Sequence, residues 1–406
     1  MENCLNNGLR PRISAPELYP VSVGGAMIHQ SGGGDCLIGG TMFLNAGIGV
    51  SALQCSEDTG VLPCKVEVAW FSFTEKRAFY AEIEIDDRYV SKVVKEGYAL
   101  VNGLRGCYNY FDIALFPAGR VAFYLSGDER MTLIGLHTAN ETDLPVSVFA
   151  PDAGFEDYEE FAEAFINGDE CDDKGMEGGS VHDDLIEDDP TEDGPTDDGS
   201  AEDDSAEDDL AEDAKAPWIV NLIENGVDYT MIERSFEKYC YEMILDGLPA
   251  VENMEEPVFS VEFANGEFCK YRGKRMPHGY HGIVKSVSFE HQSERGSILY
   301  DIYFDIDELA MALRHVTNLR SVNSGVCPAR GENDNNNDNS NDNNNNSGDG
   351  GDRQLNSFIL SFDDTEYTVT VKFADVGGCR NMEKIKYRVA EYNGRRTVLK
   401  GGNFHI

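Results

Sequence analysis

The chain is predicted to be a β-rich α+β protein whose two halves each run hairpin, helix, hairpin. Three observations lead there. Apolar and aromatic residues alternate with polar ones in paired runs joined by short polar turns, the pattern of half-buried antiparallel strands. Single stretches with apolar residues at helical spacing fall between the pairs. Two low-complexity segments, one acidic and one Asn-rich, divide the foldable sequence.

The first hairpin joins Lys65 to Phe73 (KVEVAWFSF) with Ala78 to Ile85 (AFYAEIEI) across the polar turn Thr74-Glu75-Lys76-Arg77. Period-2 alternation places Val66, Val68 and Trp70 on one face, so the Trp70 ring is expected in a core. Tyr89, Val90, Val93 and Val94 recur at helical spacing and predict a short helix from Asp87 to Glu96. Tyr110 to Phe116 and Val121 to Leu125 flank Pro117-Ala118-Gly119-Arg120, a turn-forming tetrad, and give a second hairpin, with a further strand at Met131 to His137. The same order returns later. Val284 to Phe289 pairs with Ser297 to Asp305, a helix follows at Ile306 to Val316, and Ser357 to Phe362 pairs with Tyr367 to Phe373. VEVAWFSFTEKRAFY set beside VKSVSFEHQSERGSI raises a structural duplication as one reading of the shared order. Between the halves, Ala216 to Leu248 is read as helical from Trp218, Ile219, Leu222 and Ile223, then Tyr229, Ile232, Phe236, Tyr239 and Met243.

The 406 residues carry 33 Lys plus Arg against 74 Asp plus Glu, a net charge of -41 that opposes binding to nucleic acid by counterion release and to an anionic membrane surface. Half of the excess lies between Asp169 and Asp213, where 22 acidic residues face the single Lys174 over 45 residues. With almost no aromatic or β-branched side chains, this stretch cannot bury enough apolar surface to offset its ordering entropy. The expected domains are therefore 1–168 (β-rich), a disordered acidic linker 169–214, and 215–406 (α+β) with a disordered Asn-rich insert 331–352. No CxxC pair occurs among the 10 cysteines, and mostly reduced thiols are expected. The first 20 residues lack a charged-then-apolar leader and no long apolar run occurs, so no transmembrane segment is expected. The location expected from the sequence as it stands is cytoplasmic, or the envelope or periplasm if the start omits a signal sequence.

Tyr19-Pro20, the Gly-rich stretch Gly32-Gly33-Gly34 with Gly39-Gly40, VAWFSFTEKRAFY and FDIALFPAGRVAFYLSG together resemble the bacterial domain-of-unknown-function family 2931. The positions carrying the likeness are Trp70, Ser72, Glu75, Phe79, Tyr80, Pro117, Gly119, Val121, Tyr124 and Gly127, over roughly residues 16 to 140. Phe236-Glu237-Lys238-Tyr239-x-Tyr241 is a weaker match to a Trp-x-x-Tyr-x-x-Tyr region of that family. Ala118 stands where the family has Gly and Tyr124 where it usually has Trp. The lipoprotein signal typical of the family is missing, since Cys4 lacks the apolar run of a lipobox. The resemblance implies an immunity role, because some members are encoded beside phospholipase effectors of type VI secretion.

No catalytic motif stands out, and a non-enzymatic protein binding a secreted toxin or effector is expected, without cofactor or metal. The rival expectations are an enzyme with an unrecognised site and a structural or envelope accessory protein. His278 and His281 in RGKRMPHGYHG supply only two donors where zinc needs three or four. The basic residues of that loop, Arg272, Lys274 and Arg275, are candidates for meeting an acidic partner or the acidic linker, or form a solvated loop. Phe111, Phe123 and Tyr124 are candidates for an aromatic contact surface, with core burial the competing reading. Glu75 is expected in a turn facing water. The Asn/Asp run around Asp334, Asn336 and Asp338 lacks the Gly and Glu of a calcium loop, and Ser31 to Gly40 lacks the Gly-Lys-Ser/Thr of a phosphate loop.

Overall fold

The computed structural model describes residues 8–38, 42–49, 62–151, 154–167, 216–248, 256–293, 296–318, 356–363, 368–375, 378–392 and 396–400. The linker 169–214 and the insert 331–352 lie outside the described residues. The fold is β-rich α+β with several sheets. Among the described residues no helix is long and apolar enough to cross a membrane.

Residues 10–142 supply two facing sheets. One has the order β12 (Asn140–Thr142), β6 (Arg77–Glu84), β5 (Pro63–Ser72), β2 (Val21–Gln30), β3 (Asp35–Ile38), with β4 (Met42–Leu44) also on β2. The other begins with β1 (Arg10–Ser14), which runs parallel to β9 (Tyr110–Phe116), followed by β10 (Arg120–Gly127) and β11 (Arg130–Thr138). Helix α1 (Asp87–Glu96) and the small pair β7 (Tyr98–Ala99) and β8 (Arg105–Gly106) connect them. Helix α1 starts where the Asp86 carboxylate accepts from the Arg88 and Tyr89 amides, and it ends at Gly97. Ile13, Phe111, Ile113 and Phe123 from one sheet meet Val23, Val66, Val68 and Trp70 from the other in a single core. Trp70 lies in that core as its strand pattern requires, stacked on Phe79 with ring centroids 5.3 Å apart. Helix α2 (Tyr158–Asn167) closes a satellite core of Phe71, Phe73, Phe149 and Phe161.

Residues 239–400 supply a second pair of sheets. β16 (Arg275–His281), β13 (Tyr239–Asp246), β19 (Ser357–Asp363), β20 (Thr368–Asp375) and β21 (Gly378–Asn381) form one sheet, in which β13 and β19 are parallel. Facing it are β15 (Phe268–Arg272), β14 (Val258–Phe263), β17 (Val284–Ser293), β18 (Gly296–Phe304), β22 (Ile385–Tyr392) and β23 (Arg396–Lys400). Tyr241, Met243, Phe358 and Leu360 pack there against Phe259, Val287, Phe289 and Tyr300, with α5 (Ile306–Asn318) adding Leu309 and Leu313.

The two parts share a sheet. β11 pairs with β15 through Arg130 opposite Cys269 and Met131 opposite Phe268, which joins four strands and six strands into one ten-stranded sheet. Around this joint the Tyr124 hydroxyl donates to the Asn265 carbonyl, and the Leu133 amide donates to Glu267 Oε1 at 3.1 Å.

The structure corrects the expected helix from Ala216 to Leu248. It holds α3 (Pro217–Asn225), α4 (Tyr229–Ser235) and then strand β13. Gly226, at φ +67°, breaks the first helix. From Tyr239 onward, Tyr241, Met243 and Leu245 are buried at every second position, so the spacing that a helix also fits belongs here to a strand.

Candidate partner-binding surface

Glu75, Phe79 and Gly119, three of the family-like positions, meet at a corner between two hairpins. In the turn before β6, Lys76 adopts φ +53°, and the Glu75 carboxylate beside it turns back to the Pro117–Arg120 turn. Its Oε1 accepts from the Ala118 amide at 3.0 Å and from the Tyr229 hydroxyl at 3.0 Å. Its Oε2 is buried without a hydrogen-bond partner, so the expectation that Glu75 faces water is overturned. Burial first, then the Glu75 charge, pushes the Tyr229 hydroxyl up to about 12. Gly119, at φ +62°, passes so close to Phe79 that a Cβ there would lie 2.9 Å from the ring. At Gly127 an added Cβ would lie 2.4 Å from the Tyr98 hydroxyl. Trp70, Phe79, Gly119 and Gly127 are thus packing elements. Tyr80, on the opposite face of β6 from Phe79, is half-buried and reaches Glu67 at 3.3 Å.

The aromatic candidates are corrected outright. Phe111, Phe123 and Tyr124 are 0%, 1% and 0% exposed. Phe111 and Phe123 fill the core between the first two sheets, and Tyr124 sits on the other face of β10 among Tyr19, Phe116 and Met131 at the joint. Their strands, β9 and β10, are covered on both faces, so none of the three meets solvent.

The basic candidates remain on the surface, in the connection from β15 to β16. Arg272 Nε donates to the Val101 carbonyl at 2.7 Å, Lys274 Nζ donates to the Leu248 carbonyl at 2.7 Å, and Arg275 stands 3.8 Å from Glu242. All three are exposed, and Tyr280 further along β16 is 49% exposed. The two histidines of this hairpin take different partners. His281 Nε2 lies 2.9 Å from the Pro277 carbonyl and its ring stacks on Phe263, where burial lowers its pKa. His278 instead approaches Cys240 Sγ at 3.6 Å. Among the described residues no group of three His, Cys, Asp or Glu side chains is placed to hold a metal ion.

A polar cluster that motif reading missed lies on the outer face of the six-stranded sheet. His29 is held between Asp35 at 2.8 Å and Glu67 at 3.0 Å, and hydrogen bonds to these carboxylates raise its pKa. Glu67 and Glu82 stand directly opposite one another, an unfavourable like-charge pair that Lys65 resolves by reaching both, at 2.7 and 2.6 Å. The signal was present as the polar half of the alternation, His29, Lys65, Glu67, Tyr80 and Glu82, but only the strand pairing brings these residues together.

A second polar group, this one buried, lies beside the joint. Arg12 donates to Asp112 at 2.5 Å and to Ser126 at 2.8 Å, Ser126 donates to Asp112, and the guanidinium covers the Tyr110 ring. The expectation of mostly reduced thiols is revised among the described residues: Cys36, Cys107 and Cys240 are disulfide-bonded, while Cys64, Cys269 and Cys379 are free.

No curated protein and no solved structure matches the chain. Residues 6–171 match the model of the family described as a protein of unknown function, DUF2931.

Proposed function

We propose that this is a non-enzymatic binding protein of an oxidising compartment, made of two copies of one sandwich unit, which neutralises a type VI secreted effector of the phospholipase class. The observation that carries the binding reading is the exposed basic connection Arg272, Lys274 and Arg275 with Tyr280 beyond it, in a chain of net charge -41. A local positive patch on an acidic molecule steers an acidic partner to one place, and an exposed Tyr supplies an apolar anchor there. The immunity role itself comes from the family likeness. Disulfide-bonded Cys36, Cys107 and Cys240 favour an exported protein, since such bonds persist in oxidising surroundings.

The two-copy reading is supported by pairing. In the first part β2 pairs β3 and β5, β5 pairs β6, β6 pairs β12, β1 runs parallel to β9, and β10 links β9 to β11. In the second, β14 pairs β15 and β17, β17 pairs β18, β18 pairs β22, β13 runs parallel to β19, and β20 links β19 to β21. A helix joins the two hairpins in both. Trp70 stacked on Phe79 then corresponds to Phe289 stacked on Tyr300. Set directly side by side, VEVAWFS and VKSVSFE place Trp70 against Ser288, one residue off. In strands that slip exchanges the two faces.

The test is calorimetric titration of the chain with a purified phospholipase-type effector encoded beside it, together with the effector's lipid hydrolysis. Stoichiometric binding and inhibition are expected, with a slower, less salt-sensitive association after Arg272→Glu, Lys274→Glu and Arg275→Glu are combined. Absence of binding would overturn the immunity reading, and turnover by the chain itself would favour an enzyme.

A further inference from the structure

We infer that the chain associates head to tail with a second copy of itself, the β21 edge of one copy pairing with the β3 edge of the other. The inference rests on the two-copy reading. Within the chain the joint between the two parts is made by unlike edges: β11 ends one sheet of the first part, and β15 begins one sheet of the second. Under the pairing correspondence β11 matches β21 and β15 matches β3. Both β21 and β3 end their sheets among the described residues. Among the described residues the chain therefore presents at its two ends the same pair of edges that it joins in its middle. An interface between unlike surfaces, once repeated, extends the assembly until it closes into a ring or continues as a filament.

The register identifies which residues would meet. Leu125 and Phe373 lie opposite Phe111 and Phe358, and on their other sides face Thr132 and Arg380. Met131 thus corresponds to Cys379. Ala26 faces Ile38 as Val261 faces Cys269, so Leu37 corresponds to Phe268. The internal pair Met131–Phe268 becomes Cys379 of one copy opposite Leu37 of the next. Phe268 packs into the cluster around Met131 and Tyr124, whereas Leu37 is 61% exposed and Cys379 is exposed. Exposed strand edges are templates for further pairing. The charged residue of β3 is Asp35 and that of β21 is Arg380, opposite in sign, so the edges do not repel.

The experiment is sedimentation equilibrium of the full chain from micromolar to millimolar concentration at physiological salt. The parent carries Cys379→Ser, so that a disulfide between copies is not counted. The mean mass is expected to rise above that of one chain as concentration increases. Leu37→Asp on β3, or Cys379→Asp on β21, should each weaken association at least about tenfold without lowering the melting temperature, since both side chains are exposed. A mixture of the two variants is the decisive sample. Each retains one competent edge, so the mixture should form dimers and stop there. A single-chain mass at every concentration, an association that both variants leave untouched, or a mixture that fails to pair would each overturn the inference. An experimental structure in which residues 10–142 superpose on 239–392 tests the two-copy reading separately, so the failure of one is distinguishable from the failure of the other.

Discussion

Ala118 sits at φ +60°, where a Cβ crowds the following carbonyl, at a position where the family has glycine. Ala118→Gly should raise stability by up to about 1 kcal/mol, because relief of the left-handed strain outweighs the greater freedom of glycine in the unfolded chain. Thermal unfolding of the pair reads this directly, and a lower melting temperature would refute it. Trp70 is the opposite case. Its ring is fully buried against Phe79, Val66 and Val68, and Trp70→Ala should cost about 3 to 5 kcal/mol in denaturant unfolding. A variant that kept its stability while losing a partner would place the ring on a contact surface instead. At His29 the expected effect depends on pH. Its folded pKa is raised above the ordinary 6.5 by Asp35 and Glu67, so its stabilisation is fully present below 6.5 and fades as pH rises through the raised value. Glu67 shifts the other way, lowered below 4.5 by Lys65 and His29, and loses its contribution as pH falls through that lowered value. The difference in melting temperature between the parent and His29→Gln should therefore peak in the mildly acidic window between them. A difference that grew above neutral pH would contradict the geometry.

At the scale of the elements, the first hairpin was legible because burial alternates along its strands. KVEVAWFSF and AFYAEIEI announced β5 and β6, and helix α1 fell on its predicted residues. Strand β13 was not legible as a strand. Tyr239 and Met243 stand four apart, which fits a helix, and the alternation through Tyr241 and Leu245 fits equally; only pairing with β16 and β19 decides. The aromatic candidates misled for a related reason. A sequence shows that Phe111, Phe123 and Tyr124 are large and apolar, but not that both faces of their sheet are covered. Within the candidate surface, the exposed basic turn was legible from composition, whereas the His29 cluster needed three strands in register. Glu75 shows how the elements hold one another, since one carboxylate oxygen joins the β5–β6 turn to the β9–β10 turn and to α4. Glu75→Ala strands the Ala118 amide and frees Tyr229, and should cost about 1 to 3 kcal/mol. The Tyr229 hydroxyl, now pushed up to about 12 partly by the Glu75 charge, should fall toward 10 in the same variant, as read by its phenolate absorbance. An unchanged Tyr229 titration would mean that the carboxylate is not beside it.

For the whole molecule the question is how firmly one part reports on the other. The shared sheet crosses from β11 to β15 through two residue pairs, a narrow seam beside the broad ladders within each part. The seam is reinforced on one face. The Tyr124 hydroxyl donates to the Asn265 carbonyl, Glu267 accepts from the Leu133 amide and from Lys238, and Phe116 packs edge-on against Phe236 at 5.1 Å. Because Asn265 and Tyr124 are fully buried, Tyr124→Phe leaves a buried carbonyl unpaired, at a cost of about 1 to 3 kcal/mol. Most of that loss should fall on the coupling, since the ring still fills its place among Tyr19, Ala122 and Met131. The parent should therefore lose amide protection in β5–β6 and β17–β18 together as denaturant rises. In Tyr124→Phe combined with Glu267→Ala, which removes the acceptor of the Leu133 amide, the two hairpins should lose protection at separate denaturant concentrations. Hydrogen exchange measured by mass spectrometry on peptides from both hairpins distinguishes these outcomes. Simultaneous loss in the double variant would locate the coupling in the apolar cluster around Ile232 and Phe268 rather than in the polar seam.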